Sequence, residues 1–229
     1  MGMLHGLLKR ILRQQRKHRF ESINDIPKVS GPCIYAVNHS CKWDLQYMME
    51  LTPKNTYFWV RRQPLNLIDR IGIIWKGVVW VDRKSKTDKA KAKEKLNRLL
   101  ESGKSICVFP EATWNLMPST PMLPMTWGII ELAQMREAPI VPICLEYKDD
   151  VCRVKFANHV YVSEAEDKED AISYIRDIMA TMKWEIWKTF PVEKRCSLES
   201  NYWENYVRSK LAEYPKLNYE YEMSCVRKQ

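Results

Sequence analysis

At 229 residues, 45% of them hydrophobic, the chain can bury one full core, and its seven glycines argue against a glycine-rich phosphate cradle. Seven scattered cysteines without a CxxC pair fit buried thiols in a reducing compartment, and four histidines far apart (His5, His18, His39, His159) indicate no metal site. The net charge of +9 is uneven, because Lys9, Arg10, Arg13, Arg16, Lys17 and Arg19 all precede the first acid, Glu21, and it points to anionic partners.

The leader carries Met3, Leu4, Leu7, Leu8, Ile11 and Leu12 at the spacing of one helix face, with the basic residues on the other. Such a helix suits the plane of a membrane interface, so residues 3–19 are expected to dock on anionic lipid. The apolar run is too short to span a bilayer, and no small-residue cleavage site follows. A terminal helix packed on the domain, or a mitochondrial presequence, would share this arginine-rich, acid-poor character.

Residues 27–32 read as a linker into a buried strand beginning at Ile34 and ending at Asn38, after which Ser40 offers an N-cap for a helix through Asp44 toward Glu50. His39 then stands at the carboxyl end of a strand, where open α/β sheets place their ligand crevice, with Asp44 about one helical turn further on. An imidazole with a carboxylate in reach is a general base with its orienter. The plainer alternative is a strand-end histidine that caps the following helix.

Thr52-Pro53-Lys54-Asn55 breaks that helix, and a second strand, Thr56 to Val60, ends on Arg61 and Arg62. A short apolar helix is expected over 65–74, then a third strand, Gly77 to Val81, ending on Asp82 and Arg83. Charges at successive strand ends mark a crevice, although chains also turn polar simply on leaving a sheet. From Ser85 to Glu101 the chain reads as a helix with Ala92, Leu96, Leu99 and Leu100 buried, its lysines solvated, and Gly103 as its stop. The next strand, Ser105 to Phe109, delivers Pro110-Glu111-Ala112-Thr113-Trp114-Asn115.

Asn38-His39 with Asp44, a strand closing in Val81-Asp82-Arg83, Phe109-Pro110-Glu111 with Thr113, and an apolar strand containing Pro142 together resemble the four ordered blocks of the glycerolipid acyltransferase family, whose best-known members are the 1-acylglycerol-3-phosphate acyltransferases. The resemblance spans about half the chain, from Ile34 to Leu145, and the ordered set is far more specific than any one block. It implies a single α/β domain, with a mostly parallel central sheet flanked by helices, to which the N-terminal amphipathic helix is added. It further implies an acyl thioester, on coenzyme A or acyl carrier protein, attacked by the hydroxyl of a lysolipid, in phospholipid biosynthesis. His39 would remove the hydroxyl proton and Asp44 would hold His39; no bound cofactor and no metal are implied. Since the acceptor brings its own nucleophile, Ser40 and Cys41 need form no acyl-enzyme, though a thiol beside a base is a competing possibility.

By the same resemblance Glu111 and Thr113 shape the acceptor loop, Arg83, Arg61, Arg62 and Lys42 offer charge to a phosphate, and Pro142 lies on the acyl-donor side. Glu111 pairing with a lysine, Thr113 capping a turn, and Arg83 pairing with an acid are the plainer alternatives. The chain departs from the family's Phe-Pro-Glu-Gly-Thr-Arg-Ser at Ala112, Trp114 and Asn115, and Trp127-Gly128 stands where Lys-Gly is common. Two basic groups are thus replaced by indoles, which leaves open a phosphate-free acceptor such as a lyso-aminolipid.

Beyond the blocks, residues 127–135 are expected to form a buried helix, 151–162 a hairpin-prone strand pair broken at Ala157-Asn158, and Ala171, Ile175, Ile178 and Met182 one face of a long helix. The division expected is a docking helix at 1–26, an acyltransferase domain at 27–195, and an aromatic-rich extension at 196–229. The setting expected is the cytoplasmic face of a membrane, peripheral or monotopic. The rival from another class is an inactive, membrane-bound lipid-binding protein; nucleic acid is not an expected partner, because the basic charge sits on an amphipathic helix without base-stacking platforms.

Overall fold

The computed structural model describes residue 10 and residues 17–62, 76–164, 167–214, 217–218 and 220. The expected helix at 65–74 and nearly all of the basic leader lie outside these residues. Seven strands form one sheet: β1 (Arg19–Ser22), β2 (Ile34–Val37), β3 (Thr56–Arg61), β4 (Val78–Val81), β5 (Ser105–Val108), β6 (Ile140–Lys148) and β7 (Val151–Phe156). Its order is β1-β7-β6-β2-β5-β3-β4, and every neighbouring pair is parallel except β6 with β7. The mostly parallel α/β sheet is therefore as expected.

Five helices are described: α1 (Asp44–Leu51), α2 (Lys86–Glu101), α3 (Gly128–Arg136), α4 (Lys168–Trp187) and α5 (Tyr202–Ala212). Alternation along β2 explains the layers, because successive side chains point to opposite faces. Ile34 and Ala36 join the core with Leu96 of α2, Ile129 of α3 and Ile175 of α4, while Tyr35 and Val37 join Met48 and Met49 of α1 on the other face. Among the described residues no helix is long and apolar enough to cross a membrane.

Helix α2 shows local sequence and tertiary packing agreeing. Ser85 caps it by accepting from Asp88 N at 3.1 Å, and Ala92, Leu96 and Leu100 are buried. Gly103, at φ +76°, ends it in the left-handed conformation that glycine adopts without strain.

Three expectations are corrected. Residues 19–22, counted in the leader by their charge, form edge strand β1, where a polar outer face is no obstacle. Ser40 does not cap α1; the Asp44 side chain itself accepts the loop's amides, as described below. The segment 151–162 is not its own hairpin: β7 pairs with β6 over Ile143–Lys148, and beyond it Val160 makes only a bridge to Ile140. Pro142 sits at that break, its carbonyl accepting from Ala157 N at 3.0 Å, so its missing N–H faces β7 and the parallel ladder to β2 runs on past it.

Candidate active site

Strand β2 ends at Val37 because Asn38 replaces the ladder with its side chain. Asn38 Oδ1 accepts from Leu145 N at 2.6 Å and Nδ2 donates to Leu145 O at 2.9 Å, an amide standing in for a peptide group. The chain is then free to turn, and His39 leaves the sheet at its carboxyl edge. Five residues on, Asp44 opens α1 fully buried, with its carboxylate facing back into the turn.

Every described partner of that carboxylate is a donor. Oδ2 accepts from Ser40 N at 2.7 Å, Cys41 N at 2.8 Å and His39 Nδ1 at 2.8 Å, and Oδ1 accepts from the Tyr147 hydroxyl. Burial, with the charge of Asp44 adding to it, pushes the Tyr147 phenol well above its ordinary range, so it stays a donor. With Nδ1 bound to the carboxylate, Nε2 is the ring nitrogen left to accept a proton. The imidazole stacks on Phe109 at 4.3 Å between centroids and leans on Trp114 at 5.2 Å.

A second carboxylate fixes the backbone. Glu111, expected to contact an acceptor, is fully buried, Oε1 accepting from His39 N and Oε2 from Leu123 N, both at 2.8 Å. Burial pushes its carboxyl up to about 7, against the pull of those two amides and of Lys183. Both of its oxygens are taken by backbone amides and none of it reaches the surface, which corrects its expected place on the acceptor surface.

The other expected residues are distributed unevenly. Thr113 is buried beside the site, and neither its Oγ1 nor the indole Nε1 of Trp114 has a hydrogen-bond partner among the described residues. Arg83 donates from Nη1 to Ala112 O at 2.6 Å, holding the acceptor loop by its backbone. Arg62 faces Asp88 at 3.5 Å and Lys42 faces Glu213 at 3.7 Å, so both have acidic partners. Arg61 closes β3 opposite Val81, at the same sheet edge as His39 but two strands away from β2. Pro142 is buried inside β6 opposite Ala36, within the sheet and not at its mouth.

Cys41 does not suit a nucleophile. Burial and then the charge of Asp44 push its thiol up to about 12, leaving it protonated near neutrality. The described cysteines are all free, and Cys33, Cys107, Cys144 and Cys152 are buried. Among the described residues no group of three or more His, Cys, Asp or Glu could hold a metal ion.

Lys183 of α4 was missed. Its side chain is 4% exposed, pairs with Glu146 at 2.6 Å, and donates to Ser40 Oγ at 2.9 Å and Leu145 O at 2.8 Å. Burial lowers its pKa, but Glu146 more than reverses this, so the ammonium is held charged. The signal was readable: a lysine inside the apolar stripe of Met179, Met182 and Ile186 must bring its own partners. Tyr147 gave no comparable signal, since an aromatic residue in a strand is ordinary.

A model of the family described as Acyltransferase matches residues 16–146, more than half of the chain, and the chain belongs to that family. Among solved structures the fold is similar to the crystal structure of the 1-acyl-sn-glycerophosphate (LPA) acyltransferase PlsC from Thermotoga maritima, with a TM-score of 0.62 and 15% identity, over 82% of this chain and 81% of that one. At that identity the likeness is one of fold. No curated protein matches the chain.

Proposed function

We propose that this acyltransferase moves a fatty acyl group from a thioester of coenzyme A or acyl carrier protein to the hydroxyl of a lysolipid, of which 1-acylglycerol-3-phosphate is the type. The observation carrying this reading is the buried Asp44 carboxylate holding His39 Nδ1 at 2.8 Å. The lysolipid hydroxyl donates to Nε2 and its oxygen attacks the thioester carbonyl. As the C–S bond breaks, the imidazolium returns the proton to the departing thiolate, and Asp44 stabilises the ring while it is charged. No acyl-enzyme, metal or bound cofactor is required, since both reactants arrive as substrates. Glu111 fixes the backbone from which His39 projects, and Arg83 fixes the loop carrying Thr113 and Trp114.

A second acceptor class is favoured by one observation. Trp114, whose ring leans on His39, carries an indole N–H that is buried and unpartnered among the described residues, next to an equally unpartnered Thr113 hydroxyl. These atoms suit a neutral hydroxyl or carbonyl on the acceptor better than a phosphate dianion, so a phosphate-free lyso-aminolipid is the alternative. Arg61, Arg62 and Lys42 remain the proposed charge partners if a phosphate is bound. The proposed setting is the cytoplasmic face of a membrane, with residues 3–19 drawn to anionic lipid.

His39→Ala is expected to lower turnover by about 10² to 10⁴, with Asp44→Asn also well below wild type, measured as thiol release from palmitoyl-CoA with lysophosphatidic acid or a lyso-aminolipid as acceptor. Unchanged turnover in His39→Ala would sink the reading. A chain that binds liposomes while releasing no thiol with either acceptor would support the inactive lipid-binding alternative.

A further inference from the structure

The C-terminal extension reaches the candidate site. Tyr214, two residues past α5, is 8% exposed, although no residue of α5 itself is buried. Its ring packs on Trp114 at 4.7 Å between centroids, and its hydroxyl accepts from Lys42 N at 3.0 Å. Glu213, beside it, pairs with the Lys42 ammonium. The rings therefore run in series, Phe109 to His39 to Trp114 to Tyr214. The hydroxyl tether lands on the turn whose neighbouring amides, Ser40 N and Cys41 N, hold Asp44.

A histidine that can take a proton from a lipid alcohol can take one from water, which is far more abundant. In that side reaction the water oxygen bonds to the thioester carbonyl carbon while its proton passes to His39 Nε2. The C–S bond then breaks, and the thiolate leaves with the proton from the imidazolium, so that a free fatty acid and a thiol result. Nothing in the His39–Asp44 pair distinguishes the two nucleophiles; only what surrounds the ring can. We infer that Tyr214 and Trp114 form an aromatic wall that shields the Trp114 side of the His39 ring from water, leaving the ring 18% exposed elsewhere, which makes Tyr214 a specificity-determining residue for transfer over hydrolysis. This rests on His39 being the base.

The test is the partition of palmitoyl-CoA between free palmitate and acylated lipid, in one series with lysophosphatidic acid and in another with a lyso-aminolipid. Tyr214→Leu is expected to raise the ratio of palmitate to acylated lipid by about tenfold, because the ring that closes the wall is gone. Tyr214→Phe keeps the ring and loses only the bond to Lys42 N, so a rise of about threefold is expected. Should the leucine variant not fold, the phenylalanine variant, which conserves the ring, decides the matter. An unchanged ratio, or palmitate and acylated lipid falling in the same proportion, would overturn the wall. His39→Ala in the Tyr214→Leu background is expected to abolish both products. Palmitate still released there would overturn the base, whereas an unchanged ratio with His39 intact would overturn the wall alone.

Discussion

The two halves of the site are built on opposite terms. In the strand-borne half, Asn38, Asp44, Tyr147 and Lys183 are tied to one another's strands and helices by short hydrogen bonds, and the Asp44 carboxylate is met by donors on both oxygens. In the loop-borne half, Ala112 has a left-handed backbone at φ 59°, and Thr113 Oγ1 and Trp114 Nε1 are buried without partners among the described residues. A buried polar atom left unsatisfied costs about 1–3 kcal/mol, so the difference is energetic as well as geometric. The first half fixes the His39–Asp44 pair with both carboxylate oxygens matched; the second leaves two buried polar atoms without partners among the described residues.

Lys183 offers the strongest way to break this contrast. Lys183→Met takes the cation from the half-buried Glu146, which keeps only neutral donors such as Trp187 Nε1, and takes donors from Ser40 Oγ and Leu145 O. The expected loss is about 2–4 kcal/mol in urea unfolding, for a carboxylate left partly buried without its cation and two acceptors left without a donor. The matching change in the loop half, Thr113→Val, removes a buried hydroxyl with no described partner and is expected to stabilise the chain by about 1–2 kcal/mol. Equal losses for the two would show that the halves do not differ in this way.

How much of this was legible follows the same line. The parallel sheet was implied by the four ordered blocks, and the span of α2 and the placing of His39 at a strand end were readable because local pattern and tertiary packing agree there. The pairing of β7 was not, since its apolar alternation fits a hairpin with the next segment as well as it fits β6. His39 and Asp44 meeting was readable from five-residue spacing, whereas Tyr147 and Lys183 come from 103 and 143 residues away and no local pattern records such distances. Glu111 was found but misassigned: a carboxylate after a strand reads as surface, and only its full burial shows that its oxygens serve backbone amides.

Glu111 also couples the halves, binding His39 N on one side and Leu123 N on the other. Burial raises its pKa from 4.5 to about 7, so between those values the folded chain holds a proton that the unfolded chain has released. Stability therefore falls as pH rises through that window and levels off above it, by about 3 kcal/mol in total from this group. Glu111→Gln cannot titrate and is expected to flatten that part of the profile, measured as urea midpoints from about pH 5 to 8. A wild-type slope retained in the variant would place the titration elsewhere and uncouple the halves.

The smallest expected effect lies in the loop backbone. Ala112 stands where the family pattern has glycine, and its φ of 59° carries a penalty of roughly 1–2 kcal/mol for an L-residue. Arg83 bonding to its carbonyl, and Ala112 N donating to Phe109 O at 3.0 Å, keep the residue there. Ala112→Gly removes the steric penalty but gives the unfolded chain more freedom, about 0.4–1 kcal/mol in the opposite direction. The net expectation is a gain of roughly 0.5–1 kcal/mol, visible as a melting temperature about 2 °C higher. Glu137, left-handed at φ 48° where α3 ends, is the control outside the site, and Glu137→Gly should gain a similar amount. If Ala112→Gly alone fails to stabilise, the loop backbone is unstrained in place and the contrast rests on Thr113 and Trp114 alone.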